Sequence, residues 1–149
     1  GKPGGGLDTE KRVTTIGWIP FKEMPEMYNQ VNKFIQIANR NHFGFEDIEI
    51  TENAQFTEYP EGGFYDWHMD TDVNMKHEPP VRKISMTLLL SPENQFEGGD
   101  LELMAKGKRA PLKQGHAIIF ASFLQHRVAP VTRGVRQSLV MWFGGTPFK

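Results

Sequence analysis

His68 and Asp70 stand two residues apart, and on an extended chain such side chains project to the same face. An imidazole nitrogen and a carboxylate oxygen can therefore reach one point. Alone, an H-x-D pair is a weak signal whose ordinary meaning is a surface pair. A second stretch changes its weight: Gly115–Phe120 is an apolar strand, a turn follows, and His126 opens another strand. A third ligand can then arrive from an adjacent antiparallel strand. Two imidazoles and one carboxylate occupy one face of an octahedral ion and leave the opposite face open, an arrangement suited to Fe(II) and O2. His68, Asp70 and His126 are thus read as metal ligands and as the catalytic centre.

A dicarboxylate reaching from such a metal needs a cation at its far end, and arginine is favoured because its planar fork pairs bidentately with a carboxylate. Arg136 lies ten residues after His126 and begins the last strand. Ser138, at i+2, shares its face and can add a hydroxyl donor. Tyr59, on the strand before His68, is a third partner for the same ligand.

The elements that must position these groups are mostly short strands. Arg12–Ile19 is rich in β-branched residues, and Asp47–Tyr59 follows with an interruption around Asn53. Arg82–Leu90 carries an apolar run that predicts burial on both faces. Asp100–Met104, Ala110–Leu112, His116–Ala121, Gln125–Pro130 and Val135–Gly144 complete the set. Short strands at this spacing, punctuated by Gly and Pro, indicate a sandwich or barrel. One helix is expected over about 23–41: Met24, Met27, Tyr28, Val31, Phe34, Ile35 and Ala38 recur at helical spacing, with Pro25 near the start and Gly44 beyond the end. It reads as an amphipathic cover for a sheet.

Composition narrows the chemistry further. At 149 residues the chain is read as a single domain, 1–149, able to bury a core without staples. Having no cysteine, it has no disulfides, thiolate metal sites or thiol nucleophiles. It fits a reducing compartment, so the cytoplasm is the expected location. Lys and Arg number 17 against 18 Asp and Glu, a balance that argues against a nucleic-acid or membrane surface. No apolar run approaches the roughly 20 residues that span a bilayer.

Four stretches carry a resemblance: Y-x2-G-x2-Y-x2-H-x-D at 59–70, F-x-G-G-D-L at 96–101, H-x-V-x-P-V-T-R-G-x-R at 126–136 and S-L-V-x-W at 138–142. Over about residues 50–145 the chain resembles the 2-oxoglutarate/iron(II)-dependent oxygenases and, within them, the prolyl 4-hydroxylase-like group with its small bacterial and phage members. The resemblance implies a double-stranded β-helix (jelly roll) with the iron inside one end, His68, Asp70 and His126 as ligands, and Arg136 as the basic 2-oxoglutarate anchor. It further implies Fe(II), 2-oxoglutarate as cosubstrate, O2, ascorbate as reductant, succinate and CO2 as products, and a peptidyl proline as the hydroxylated group. Tyr65, Arg82, Arg127 and Trp142 are the candidates to surround the substrate, and the segment Thr71–Pro80 to roof the groove in part. There are departures. Where some prolyl hydroxylases place a cosubstrate-binding Tyr, Arg82–Leu90 offers only Ser85 and Thr87 as polar groups. The anchor is Arg rather than the Lys of animal procollagen enzymes. Residues 1–10 read as flexible, and the upstream structure usual in the family is expected to be largely lacking before Arg12.

Other residues have plainer readings. His42 is a solvated helix end, His77 a loop residue and His116 a turn residue. Glu97–Asp100 is a turn or bulge, and Lys106, Lys108 and Arg109 form a hairpin tip. Trp67 and Phe120 read equally as core or pocket, and Arg133 as substrate contact or solvated side chain. Rival functions are hydroxylation of a free amino acid or another side chain, nucleic-acid demethylation, and a cupin-like module without turnover. Demethylases of this superfamily carry two Arg six apart after the final His, whereas Arg133 and Arg136 are three apart.

Overall fold

Alternating and apolar runs place thirteen strands among the described residues: β1 Arg12–Val13, β2 Thr15–Ile19, β3 Glu49–Ile50, β4 Ala54–Tyr59, β5 Phe64–His68, β6 Val81–Leu89, β7 Phe96–Gly98, β8 Leu101–Leu103, β9 Lys108–Ala110, β10 Ala117–Ala121, β11 His126–Val128, β12 Val131–Gly134 and β13 Arg136–Gly145. One α-helix, α1, spans Pro25–Ala38. The computed structural model describes residues 12–71, 81–104, 108–110 (main chain alone) and 112–145. His77, Pro79-Pro80 and most of the expected roofing segment lie outside them, as do Gly1–Gly6 and Lys106.

Two antiparallel sheets build the body. The larger runs β10-β6-β13-β4-β2, with β3 also on β13; the smaller runs β1-β5-β11-β8-β9; β12 and β7 form a separate pair. Tyr59 from the larger sheet packs with Leu101 and Val128 from the smaller, and Phe120 and Val131 complete this core. This is the double-stranded β-helix expected from the sequence.

The central strand β13 shows how the layers are divided. Leu139, Met141 and Phe143 pack with Ile84 and Met86 of β6 and with Tyr28 and Ile35 of α1. Arg136, Ser138, Val140 and Trp142 alternate with them and line a cavity on the other side. β6 is likewise buried on both faces, as its apolar run predicts. Tyr28 ties the helix to the sheet: its hydroxyl accepts the Ala54 N–H at 2.7 Å and donates to the Ile19 carbonyl. After Ala38 the helix widens into one π-turn, Asn39–Phe43, closed by Gly44 at φ +71°. The Asn39 amide bridges the N–H and C=O of Phe45, which ends it there.

Local reading missed some boundaries. The first strand breaks at Thr14, whose hydroxyl donates to the Glu58 carbonyl. The strand expected at Ala110–Leu112 begins earlier, at Lys108, because it pairs in register with β8. β12 was not expected as a separate strand, and it exists because β7 supplies its partner.

Candidate metal centre

β5 and β11 run side by side with His126 opposite His68, and the ring centroids are 4.2 Å apart. Asp70 lies just past the end of β5, so strand alternation does not aim it. Its main-chain N–H instead donates to the Ser122 carbonyl at 3.0 Å, which stitches this bend to the turn leading into β11. Asp70 Oδ1 then sits 3.4 Å from His68 Nε2 and 3.3 Å from His126 Nε2. One ligand atom from each of the three residues lies within 4.8 Å of the others.

The surroundings decide which nitrogen of each ring faces inward. His68 Nδ1 lies 2.7 Å from the Asp66 carbonyl and His126 Nδ1 lies 2.9 Å from the Leu124 carbonyl. A carbonyl only accepts, so each Nδ1 carries the hydrogen and a neutral ring turns its Nε2 lone pair toward Asp70. Two lone pairs and a carboxylate oxygen meeting at one point repel. Only a shared cation, a metal or a proton added to an imidazole, makes the arrangement favourable. Backbone-oriented imidazoles are the support that metal sites use, and the residues fit a divalent ion.

Where a proton on the imidazoles supplies the shared cation, burial still pushes the Asp70 carboxyl up, but hydrogen bonds from the protonated His126 and His68, the charge of His126 and the Ser85 hydroxyl outweigh it and hold the group well below the ordinary carboxylate range. Asp70 therefore stays ionised through mildly acidic pH. A metal ion needs both imidazoles unprotonated, so apparent Co(II) or Mn(II) affinity should fall as pH drops from neutral toward about 5. Calorimetric titrations between neutral pH and about pH 5 check this, and constant affinity contradicts the ligand assignment.

The three ligand residues open onto a cavity between the sheets, also lined by Gln55, Thr57, Tyr59, Tyr65, Thr87, Leu101, Arg136, Ser138 and Trp142. Arg136 pairs in register with Tyr59 and is only 2 % exposed. Its Nη1 donates to Ser138 Oγ at 3.3 Å, and its guanidinium carbon lies 5.6 Å from the centre of the Tyr59 ring. Burial lowers the Arg136 pKa, while Tyr59 and Asp100 oppose that shift. Burial also raises the Tyr59 pKa against the nearby Arg136 and Arg12 charges, so the phenol remains a donor at neutral pH. Gly99, at φ +67°, makes room here: a Cβ would stand 2.9 Å from Arg136 Cδ. The Glu97–Asp100 turn expected from its glycines therefore also shapes the cavity.

The four expected substrate residues divide. Tyr65 lines the cavity and stacks on His68, 3.6 Å between centroids and 9° between planes, with Arg12 over its ring at 4.3 Å. Trp142 lines it too, but its indole N–H donates to Asp70 Oδ2 at 3.0 Å. Arg82 lies over Trp142 at 3.8 Å and pairs with Glu52 through two hydrogen bonds. Arg127 is not brought to the cavity. It alternates with His126 and Val128, which face inward, and instead pairs with Glu102 and lies over Trp67. His42 and His116 are exposed and outside the centre. Sequence reasoning weighed Ser85 only against a cosubstrate contact, whereas its hydroxyl donates to Asp70 Oδ2 at 2.6 Å. The signal was present: a serine within a strand buried on both faces requires a partner.

A jelly roll holding an imidazole–carboxylate–imidazole set beside a buried arginine defines a mononuclear metal-dependent class. The chain belongs to the 2OG-Fe(II) oxygenase superfamily, whose family model matches residues 54–144. A PKHD-type hydroxylase of Colwellia psychrerythraea is 35% identical over 142 residues, covering 86% of this chain and 63% of that protein. Another, from Idiomarina loihiensis, is 41% identical over 87 residues, 56% of this chain and 38% of the relative. The chain thus spans less than two-thirds of the length of these relatives. Among solved structures, a Pseudomonas putida prolyl-4-hydroxylase superposes with a TM-score of 0.70 at 26% identity, covering 93% of this chain and 75% of the other. A viral collagen prolyl hydroxylase from Paramecium Bursaria Chlorella virus-1 gives 0.75 at 20% identity, covering 93% and 82%, a likeness of fold. Among the described residues no helix is long and apolar enough to cross a membrane.

Proposed function

We propose that the chain holds Fe(II) through His68, Asp70 and His126, binds 2-oxoglutarate against Arg136, and hydroxylates a C–H bond of a peptidyl proline. The observation that carries this reading is the convergence of three metal-ligand atoms beside a cavity lined by a buried guanidinium. Bound iron would supply the O2 chemistry that couples conversion of 2-oxoglutarate to succinate and CO2 with hydroxylation, and ascorbate would serve as external reductant. The protein's part is binding and orientation. Arg136 pairs with the distal carboxylate of the cosubstrate, and Tyr59 and Ser138 add donors. Tyr65 and Trp142 give an aromatic rim suited to a flat, weakly polar ring.

Proline as the target rests on the names of the relatives and on that rim. It is tested by incubating the chain with Fe(II), 2-oxoglutarate, ascorbate and proline-rich peptides. Mass spectrometry should show one added oxygen atom per modified proline, and succinate release should exceed the peptide-free rate. If a free amino acid or a methylated base stimulates turnover and no proline peptide does, the oxygenase reading stands and the prolyl reading falls.

A further inference from the structure

Asp70 is held unevenly. Its Oδ1 faces both imidazoles, while its Oδ2 accepts two donors, the Ser85 hydroxyl at 2.6 Å and the Trp142 indole N–H at 3.0 Å. These donors are directly paired across β6 and β13, so one position in the sheet aims both at the same oxygen. Neither is free to drift. Ser85 is 0 % exposed and lies 2.9 Å from the Ser122 hydroxyl, and the Trp142 ring lies under Arg82, which Glu52 fixes.

Coordination arithmetic gives this asymmetry a consequence. An octahedral ion has six positions; three one-atom protein ligands leave three, enough for a two-oxygen chelate and O2 together. A carboxylate that swung round to bind through both oxygens would take a fourth position, and chelate and O2 could no longer bind at once. Swinging Oδ2 to the metal would strand the Trp142 donor in a buried site and leave Ser85 only the Ser122 hydroxyl, which is unfavourable.

We propose that Ser85 and Trp142 are positioning residues that hold Asp70 as a one-oxygen ligand and thereby keep a metal position open for a 2-oxo acid. The proposal rests on the reading of His68, Asp70 and His126 as ligands, and it turns Trp142 from a rim residue alone into a guard of the metal's vacancy.

The test uses the whole chain with Co(II) as probe, its binding followed by visible absorption, and 2-oxoglutarate binding to the Co(II)-loaded protein by calorimetry. Trp142→Phe keeps a ring under Arg82 while removing the N–H together with part of the ring surface, so it keeps the test open if Ser85→Ala or the double variant folds poorly. In Ser85→Ala/Trp142→Phe, Co(II) affinity should stay within about threefold of the parent, because a second carboxylate oxygen replaces the lost orientation, while 2-oxoglutarate affinity falls by about tenfold or more. The Co(II) spectrum should change with the ligand count, and Trp142→Phe alone should shift both readouts part of the way. Unchanged 2-oxoglutarate affinity overturns the proposal. So does a drop of about 10–100-fold in Co(II) affinity, the mark of outer residues that only orient a ligand. A parent chain that binds no Co(II), or binds it equally after His126→Ala, overturns the ligand reading itself.

Discussion

Replacing His126 by alanine should abolish tight binding of a divalent ion and, with it, turnover. The loss of a residue that merely supports a ligand costs about 10–100-fold in metal affinity, and a missing ligand atom costs more. His126 is buried, stands opposite His68 across the β5–β11 pair, and its Nε2 is turned inward by the Leu124 carbonyl. His42→Ala and His116→Ala are the controls and should bind metal like the parent, since both side chains are exposed and outside the centre. Calorimetry with Co(II) or Mn(II), with circular dichroism to check folding, decides the matter. An ion retained after His126→Ala and lost after His116→Ala would refute the assignment.

The second large effect concerns Arg136. Arg136→Ala should leave the metal bound while raising the 2-oxoglutarate requirement by about 30-fold to several thousand-fold, the equivalent of about 2–5 kcal/mol for losing one partner of a buried, hydrogen-bonded charge pair. Arg133→Ala should cost far less. Its side chain is 54 % exposed, pairs with Glu97 at 3.2 Å and lies outside the cavity, and exposed pairs contribute about 0–1 kcal/mol. Titrating 2-oxoglutarate into the metal-loaded variants separates the two. Reversed effects would make Arg133 the anchor and contradict the β13 register described above.

Both substitutions fall on residues that could be named from the chain alone, for a local reason. β-strands repeat every two residues, so a face can be read from spacing. Arg136 and Ser138 were expected on one side of one strand, and with Trp142 they line one cavity. The apolar run of β6 announced burial on both sides, and the Glu97–Asp100 glycines announced a turn. Spacing has no reach beyond its own strand. Asp70 is delivered by the Ser122 carbonyl, fifty-two residues later in sequence, not by the alternation that suggested it. β12 exists only because β7 pairs with it, and Arg127 turns away from the cavity because its neighbours His126 and Val128 face inward. The gathering of Ser85, Trp142 and Asp70 required three separate segments to close on one oxygen. Residue types and local period determined which groups could do the chemistry and on which strands they stood. Antiparallel pairing between distant segments decided which side chains meet, because register across strands is set by the whole sheet and not by any one of its strands.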